Sequence, residues 1–590
     1  MESTDTRTVR FGSFELDVRL RELRTGSTRV RLQEQPFEIL RLMLERPGDV
    51  VTREQLRQRL WPAGTYVDFE HSLNAAVKRL RAALGDDADN PRFVETLPRR
   101  GYRFIARLDT ADTPGTADTP GTLGTPGTLR HPKLRLAVLP FVNISEDPAQ
   151  EYFSDGLTEE MIAQLGSVAR GRIGVIARWS SMAFKRTTQR AREIGETLRV
   201  DYLVEGSVRC AGDRVRITAR LVETAGETHL WSDAYDRELT DCLSVQTDVA
   251  ARIARSLAME LTPSVEQATS CDPAAYQAYL KGRYYWNKPF DEGVKEAIVY
   301  YQRALDVSPS FGAAHAALAR AHVCRAEFYH GLPRQALKDA EASALRALAI
   351  DSTLYEGHLA LGDVRRMHDL DWAAAEASYA EAIAHNPSYE SAHRAYGMSL
   401  SVQGRHEEAI RASERACELD PLCLVVGTTA GWARYAAGDF DAAIDHCRNT
   451  IDMDPEFMPA RRVLAAAYLQ AGRHAEAMAE LESAVSLAEG DSDPMLLAWL
   501  AHAKAITGDR RDAMALIARA RGLERERYVP PYHLAMAYLA VEDIDTAFEL
   551  LDQAWLDRDP AIAGVNVEPR FEPLRGDRRY GELLERLKLR

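Results

Sequence analysis

Two adjacent cations, Lys78 and Arg79, stand among small and polar residues in the stretch HSLNAAVKRLRAAL that runs from His71 to Leu84. Leu73, Val77, Leu80 and Leu84 follow one another at spacings of 4, 3 and 4, which on a helix makes one narrow apolar stripe. Opposite that stripe fall His71, Ala75, Lys78, Arg79 and Ala82, with Asn74 and Arg81 at its flanks. A cationic face bordered by alanines can approach a polyanion closely and offer its ammonium and guanidinium groups to phosphates or to acceptor atoms on base edges. A second basic run, Arg99-Arg100-Gly101-Tyr102-Arg103, lies where the chain returns to strand pattern and turns. The ordinary alternative for such a helix is a solvated amphipathic surface.

The other candidates for chemistry are weaker. Asp155, Glu159 and Glu160 form an acidic cluster; acids enriched in the first turn of a helix explain them better than a metal or acid/base centre does. The seven cysteines are scattered and contain no CxxC pair, so neither a disulfide framework nor a cysteine-ligated zinc is expected, and a reducing cytoplasm fits. No GxxxxGK[ST], HExxH or GxSxG motif occurs. We therefore expect no enzyme, no cofactor and no metal.

The elements that must position the basic helix can be read on either side of it. Val9 to Leu32 alternates apolar and polar residues around Arg24-Thr25-Gly26-Ser27, as a small antiparallel sheet would. Residues 34–46 carry Phe37, Leu40 and Leu44 at helical spacing. Thr52 and Gln55 have the spacing of a capping box that opens a helix through Trp61. The basic helix itself is expected from His71 to Leu84, followed by strand pattern over 92–107.

The chain has 590 residues with 27% charged and 46% hydrophobic, and a net charge of −14. That length and composition suit a globular protein of several domains. Its longest uncharged stretch, Tyr528 to Val541, is 14 residues long and holds two prolines, too short to span a bilayer. The N-terminus lacks the apolar core of a signal peptide. Residues 1–108 carry 20 Lys+Arg against 16 Asp+Glu, whereas the remainder is strongly acidic. Only the N-terminal part is therefore suited to a polyanion. The tract TADTPGTADTPGTLGTPGTL, residues 110–129, has too few large apolar side chains to order itself and reads as a tether spanning about 25 Å root-mean-square as a coil.

Residues 9–108, and in them the segments SLNAAVKRLRAALGDD (72–87) and FVETLPRRGYRF (93–104), resemble the winged-helix domain of the OmpR/PhoB family in its CadC-like form. The resemblance implies a third helix that docks in the major groove of duplex DNA and a C-terminal hairpin that forms a wing. Carried over by position, it places Lys78 and Arg79 on the recognition face, with His71, Asn74 and Arg81 on the same helix, and Arg99, Arg100 and Arg103 on the wing. The family's response regulators often have RGxGYRF where this chain has PRRGYRF, so the wing tip departs from the pattern. Only about eight residues precede the first expected strand, so a phosphate-accepting receiver domain is not expected there.

Residues 134–261 alternate strand and helix signals. Buried-strand patterns are expected at 134–141 and 174–177, helices at 159–165 and 191–198, and a hairpin of 200–208 with 215–221. The segments LAVLPFVNISEDPAQEYFSDGLTEEM, DYLVEGSVR and HLWSDAYDREL resemble the TolB-like, FlgO-like domain.

Beyond residue 271 a period emerges. Gly404, Gly438 and Gly472 are 34 apart and Gly508 follows at 36; each has an alanine five residues later, and Pro387, Pro421 and Pro455 keep the same interval. This is the tetratricopeptide pattern, and about eight units fit between 276 and 560, with Leu370 and Glu542 taking the loop-glycine position in two of them. The tail FEPLRGDRRYGELLERL (571–587) suits a capping helix. His315, His358 and His393 fall at comparable positions but unequal spacing, and Cys417, Cys423 and Cys447 suit small core fillers.

The expected architecture is multidomain. A winged helix-turn-helix (α+β) domain occupies 1–108, a Thr/Pro/Gly-rich linker 109–131, a TolB-like α/β domain 132–270, and an all-α tetratricopeptide superhelix 271–590. The expected function is a one-component, cytoplasmic transcriptional regulator. Its partners would be double-stranded promoter DNA and a protein or peptide held in the repeat groove, RNA polymerase being one candidate, with dimer formation on DNA and no membrane. Two alternatives stand beside it: an interaction scaffold built on the repeats, and a small-molecule receptor centred on the middle domain.

Overall fold

In the computed structural model the described residues are 8–11, 14–17, 22–25, 28–30, 32, 34–45, 50–60, 69–84, 86, 93–97, 101–104, 134–145, 147–168, 172–211, 214–238, 252, 272–288, 290–329, 331–488 and 493–590. They fall into two compact units, Met1–Gly124 and Thr125–Arg590. The expected tether at 110–129 lies outside the described residues.

In the first unit the expected antiparallel sheet is present as β1 (Thr8–Phe11), β2 (Phe14–Asp17), β3 (Glu22–Thr25) and β4 (Thr28–Val30), paired in chain order. Helix α1 (Glu34–Glu45) turns Phe37, Ile39, Leu40 and Met43 into the core. A short strand that the sequence pattern does not reveal, β5 (Val50–Thr52), precedes helix α2 (Arg53–Leu60). The capping box is real: Gln55 N donates to Thr52 Oγ1 at 3.2 Å, and Thr52 N donates to Gln55 Oε1 at 2.8 Å. Helix α3 (Phe69–Leu84) begins two residues before the expected start. Strands β6 (Val94–Leu97) and β7 (Gly101–Phe104) form the expected hairpin, and β5 joins it in the order β5-β7-β6.

The second unit opens with a mixed sheet. Its strands are β8 (Leu134–Val138), β9 (Val142–Asn143), β10 (Ile173–Val175), β11 (Tyr202–Ala211), β12 (Arg214–Glu223) and β13 (Thr228–Glu238). They run in the order β10-β8-β11-β12-β13, with β9 also on β11. The β10–β8 and β8–β11 pairs are parallel, and the β11–β12 and β12–β13 pairs antiparallel. Helix α4 (Glu151–Val168) covers the sheet with Phe153, Leu157, Met161 and Leu165, one residue per turn. Two shorter helices follow, α5 (Arg178–Met182) and α6 (Ala191–Leu198).

Among the described residues the array holds eight antiparallel helix pairs, from Pro273–Trp286 with Phe290–Val307 to Pro531–Ala540 with Ile544–Asp557. The periodic glycines 404, 438, 472 and 508 all sit at positive φ between the two helices of a pair, and Leu370 and Glu542 adopt the same conformation at +51° and +63°. The turn geometry is thus kept even where its usual residue is not. His315, His358 and His393 are turn clamps: each Nε2–H donates to the carbonyl six residues earlier, at 3.0, 2.8 and 3.0 Å. The superhelix comes round upon itself. Tyr329, after the first helix of the second pair, donates its hydroxyl to Asp559 beyond the eighth at 2.8 Å, and its ring stacks on Tyr528.

The division expected near residue 270 does not divide the core. Leu136, Val138, Phe153, Met161 and Val204 of the α/β part pack in one cluster with Tyr276, Leu280, Tyr301 and Leu318 of the array. The acids 155, 159 and 160 are not in a first helical turn, because α4 starts at Glu151. Instead they meet cations. Lys185 pairs with Asp155 at 2.6 Å, Arg178 with Glu159 at 3.2 Å, and Arg283 of the first pair reaches Glu159 at 3.0 Å and Glu356 of the third pair at 2.6 Å. Tyr279 donates its hydroxyl to Glu160 at 2.7 Å. The acidic cluster is a docking surface between two parts of one body, which no local pattern encodes.

Candidate nucleic-acid interface

Helix α3 is held by its apolar side. Leu73, Ala76, Val77, Leu80 and Leu84 are all buried in the cluster that includes Phe37, Leu40, Phe93, Val94 and Phe104. With that side committed to the core, Lys78 and Arg79 are exposed on the other. His71 and Asn74 lie on the same helix, and their side chains are outside the described residues.

Arg81 has a different task. Half-buried, it donates from Nη2 to the Val94 carbonyl at 2.7 Å and to Thr96 Oγ1 at 2.9 Å, so it ties α3 to strand β6. Asp86 completes the tie: its carboxylate accepts from Phe93 N at 3.3 Å and Val94 N at 2.8 Å. Charge-assisted bonds of this kind are the stronger class and fix the angle between helix and hairpin. Asp86 was legible in the sequence only as part of the GDD that ends the helix.

The wing hairpin is built on a close backbone approach. A Cβ at Gly101 would lie 2.1 Å from the Val51 carbonyl oxygen, so the β5–β7 pairing admits only glycine there. Arg103 stands directly across from Glu95 in the β6–β7 register and pairs with it, Nε at 2.8 Å and Nη2 at 2.6 Å. Arg53, at the start of α2, lies over the Tyr102 ring at 5.5 Å. Arg99 and Arg100 fall between β6 and β7, outside the described residues.

The helix therefore offers two exposed cations beside a hairpin to which it is rigidly joined. Among the described residues no group of His, Cys, Asp and Glu side chains could hold a metal ion. No helix among them is long and apolar enough to cross a membrane.

Comparison with known proteins meets this geometry. Residues 27–104 match the family described as "Transcriptional regulatory protein, C terminal". Residues 132–252 match "HilA/YgeH-like transcriptional regulator, second domain", where the sequence had suggested a TolB-like domain. Residues 369–422 and 434–500 match tetratricopeptide repeats. The chain thus carries an OmpR/PhoB-type DNA-binding domain, a HilA-like regulator domain and C-terminal tetratricopeptide repeats, the domain series of a transcriptional regulator. Among individual relatives, the transcriptional regulator HilA of Salmonella typhimurium is 23% identical over 419 residues, covering 70% of this chain and 71% of HilA. A Rhizobium meliloti protein named "Putative adenylate cyclase 3" is 35% identical over 252 residues, 41% of this chain and 42% of that protein. The cholera toxin transcriptional activator of Vibrio cholerae is 35% identical over 83 residues, 14% of this chain and 28% of the activator. The chain thus spans less than half the length of the cyclase-named relative and about seven tenths of HilA.

Proposed function

We propose that this chain is a non-enzymatic transcriptional regulator that binds duplex promoter DNA through α3 and its wing. In this reading α3 enters the major groove, Lys78 and Arg79 contact phosphates or base edges, and the 98–100 connection with Arg99 and Arg100 meets the adjacent backbone or minor groove. The observation that carries it is the exposure of Lys78 and Arg79 on the side of α3 opposite its buried apolar stripe. Arg81 and Arg103 serve it by positioning: one joins helix to hairpin and the other braces the hairpin through Glu95. His71 and Asn74 are assigned to the groove-facing helix by position alone.

The α/β part and the array act as one body that receives a signal or recruits a protein partner, RNA polymerase among the candidates, with pairing of two copies on adjacent half-sites. Genome-wide footprinting with the full chain and with a chain lacking residues 132–590 tests the reading. Discrete promoter sites that persist in the short chain, with altered transcription only in the full one, are expected. Absence of protected sites in both overturns it.

A further inference from the structure

The inner wall of the array already has an occupant. Among the described residues, first helices of successive pairs pack closely on one another as well as on their own partners, whereas successive second helices meet far less closely; the first helices therefore line the concave side. The chain leaves the eighth pair at Arg558 and continues through two 3-10 turns, Ile562–Asn566 and Pro569–Leu574, to a helix at Arg578–Arg586.

This segment does more than cap the last pair. Asn566 Nδ2 donates to the Val402 carbonyl at 2.8 Å, at the end of the fourth pair's first helix. Glu568 accepts from the Tyr435 hydroxyl of the fifth at 2.5 Å. The Arg570 guanidinium lies 4.0 Å from the centre of the Trp499 ring of the seventh, and Phe571 lies 5.3 Å from Tyr532 of the eighth, centre to centre. At the far end, Trp372 Nε1 of the third pair donates to the Leu587 carbonyl at 2.9 Å. Phe571, Leu574 and Leu587 are fully buried.

At the centre, Glu568 and Arg570 form a doubly bonded ion pair, 2.8 Å at each contact, with side chains 0% and 2% exposed. Burial alone would raise the Glu568 carboxyl, but Arg570 and the Tyr435 hydroxyl hold it below its ordinary value. Removing either member of so dry a pair would leave an uncompensated buried charge. The segment thus has the contacts of a bound peptide: an acid, a cation stacked on an aromatic ring and an aromatic anchor, received by the first helices of the fifth, seventh and eighth pairs, with Leu587 held at the start of the third pair's second helix.

We propose that residues 561–590 are a built-in ligand of the array, which keeps its inner wall closed to partner segments while they are in place. The inference is independent of the DNA-binding reading, and its failure would leave that reading untouched.

The test uses a chain ending at Pro560 and a fluorescein-labelled peptide of residues 561–590, followed by anisotropy. The shortened chain should bind the peptide one-to-one with a Kd below about 1 μM, and the full chain should not bind it at about 100 μM. A peptide carrying Glu568→Ala and Arg570→Ala should bind at least about tenfold more weakly. Equal binding by the full chain overturns the proposal, as does a shortened chain with an intact helical circular-dichroism spectrum that ignores the peptide. Should the shortened chain fail to fold, a full chain with a protease cleavage sequence between Pro560 and Ala561 decides. After cutting, the fragment should travel with the body in gel filtration and exchange for labelled peptide. A fragment that leaves at once, or a body that unfolds on cutting, overturns the proposal.

Discussion

Ser180 and Asp420 are 240 residues apart in the chain and share one buried hydrogen-bond system: Ser180 N donates to Asp420 Oδ1 at 2.9 Å, and the Ser180 hydroxyl donates to the same oxygen at 2.5 Å. Leu422 N in turn donates to the Ser180 hydroxyl at 2.8 Å. A helix start in the α/β part is thus capped by a carboxylate from the array. The contact is one of several that make the two parts a single body, with Val175 N on Ser388 and Ala177 N on the Leu419 carbonyl.

The Asp420 contact carries a pH dependence. Burial first, and then the neighbouring Glu390 carboxyl, push Asp420 up to about 7. A carboxyl raised in the folded state binds its proton more tightly there than in the unfolded chain. Its contribution to stability is therefore complete at low pH and is lost as pH rises from about 4 through 7. His393 and His502, pushed down to about 4 by burial, act in the opposite sense and cost stability as pH falls from 6.5. Asp420→Asn keeps an acceptor for Ser180 and removes only the first effect. Thermal unfolding should show the variant gaining on the parent chain at pH 8 relative to pH 5; a constant difference between the two pH values would rule the effect out.

Arg283 joins three segments, and its loss should be felt in all of them. Arg283→Met leaves Glu356 buried without its cation and strips Glu159 of one of its two, Arg178 remaining, and breaking a buried pair in this way costs about 3–5 kcal/mol in comparable sites. Hydrogen exchange should then accelerate together in α4 and in the first and third helix pairs. Acceleration confined to the helix that bears the substitution would contradict the shared core.

On the DNA side, Lys78→Ala and Arg79→Ala should each weaken binding to duplex DNA. If each cation meets one phosphate, each variant should flatten the slope of log K against log salt by about 1. Gel-shift titrations over a salt series measure it. Unchanged affinity and slope for both would show that a different side of α3 faces the DNA.

Gly101→Ala places a methyl group 2.1 Å from the Val51 carbonyl oxygen. The β5–β7 pairing must part to admit it, at a cost of about 1–3 kcal/mol. We expect a lowered melting temperature for the first unit together with weaker DNA binding, because the wing hangs on that pairing. Full DNA affinity in a destabilised variant would separate the wing from binding.

The contrast between what the sequence discloses and what it conceals follows contact distance. The capping box of α2, the stripe of α3 and the 34-residue period depend on neighbours within a turn or within a repeat, and each is found as read. The three-residue β5 has no period to detect; only its pairing with β7 makes it a strand. Arg81 looks like Lys78 and Arg79 in sequence, and its bond to the Val94 carbonyl, 13 residues on, is what removes it from the exposed set. Asp155, Glu159 and Glu160 gained their meaning from Lys185, Arg178, Arg283 and Tyr279, the last two more than a hundred residues away. The tail at 571–587 was legible as a helix that caps, but the reach of Glu568 back to Tyr435 and of Leu587 back to Trp372 was not, since nothing periodic links those positions.

The bond between Tyr329 and Asp559 has a consequence for how this protein can vary. An open solenoid tolerates a repeat more or fewer, since each unit sees only those beside it. Here the second pair touches the end of the eighth, so duplicating or deleting one hairpin would carry Asp559 away from Tyr329 and pull the tail off Trp372. The hairpin count behaves like the circumference of a closed hoop, and changes in length must be absorbed in connecting turns.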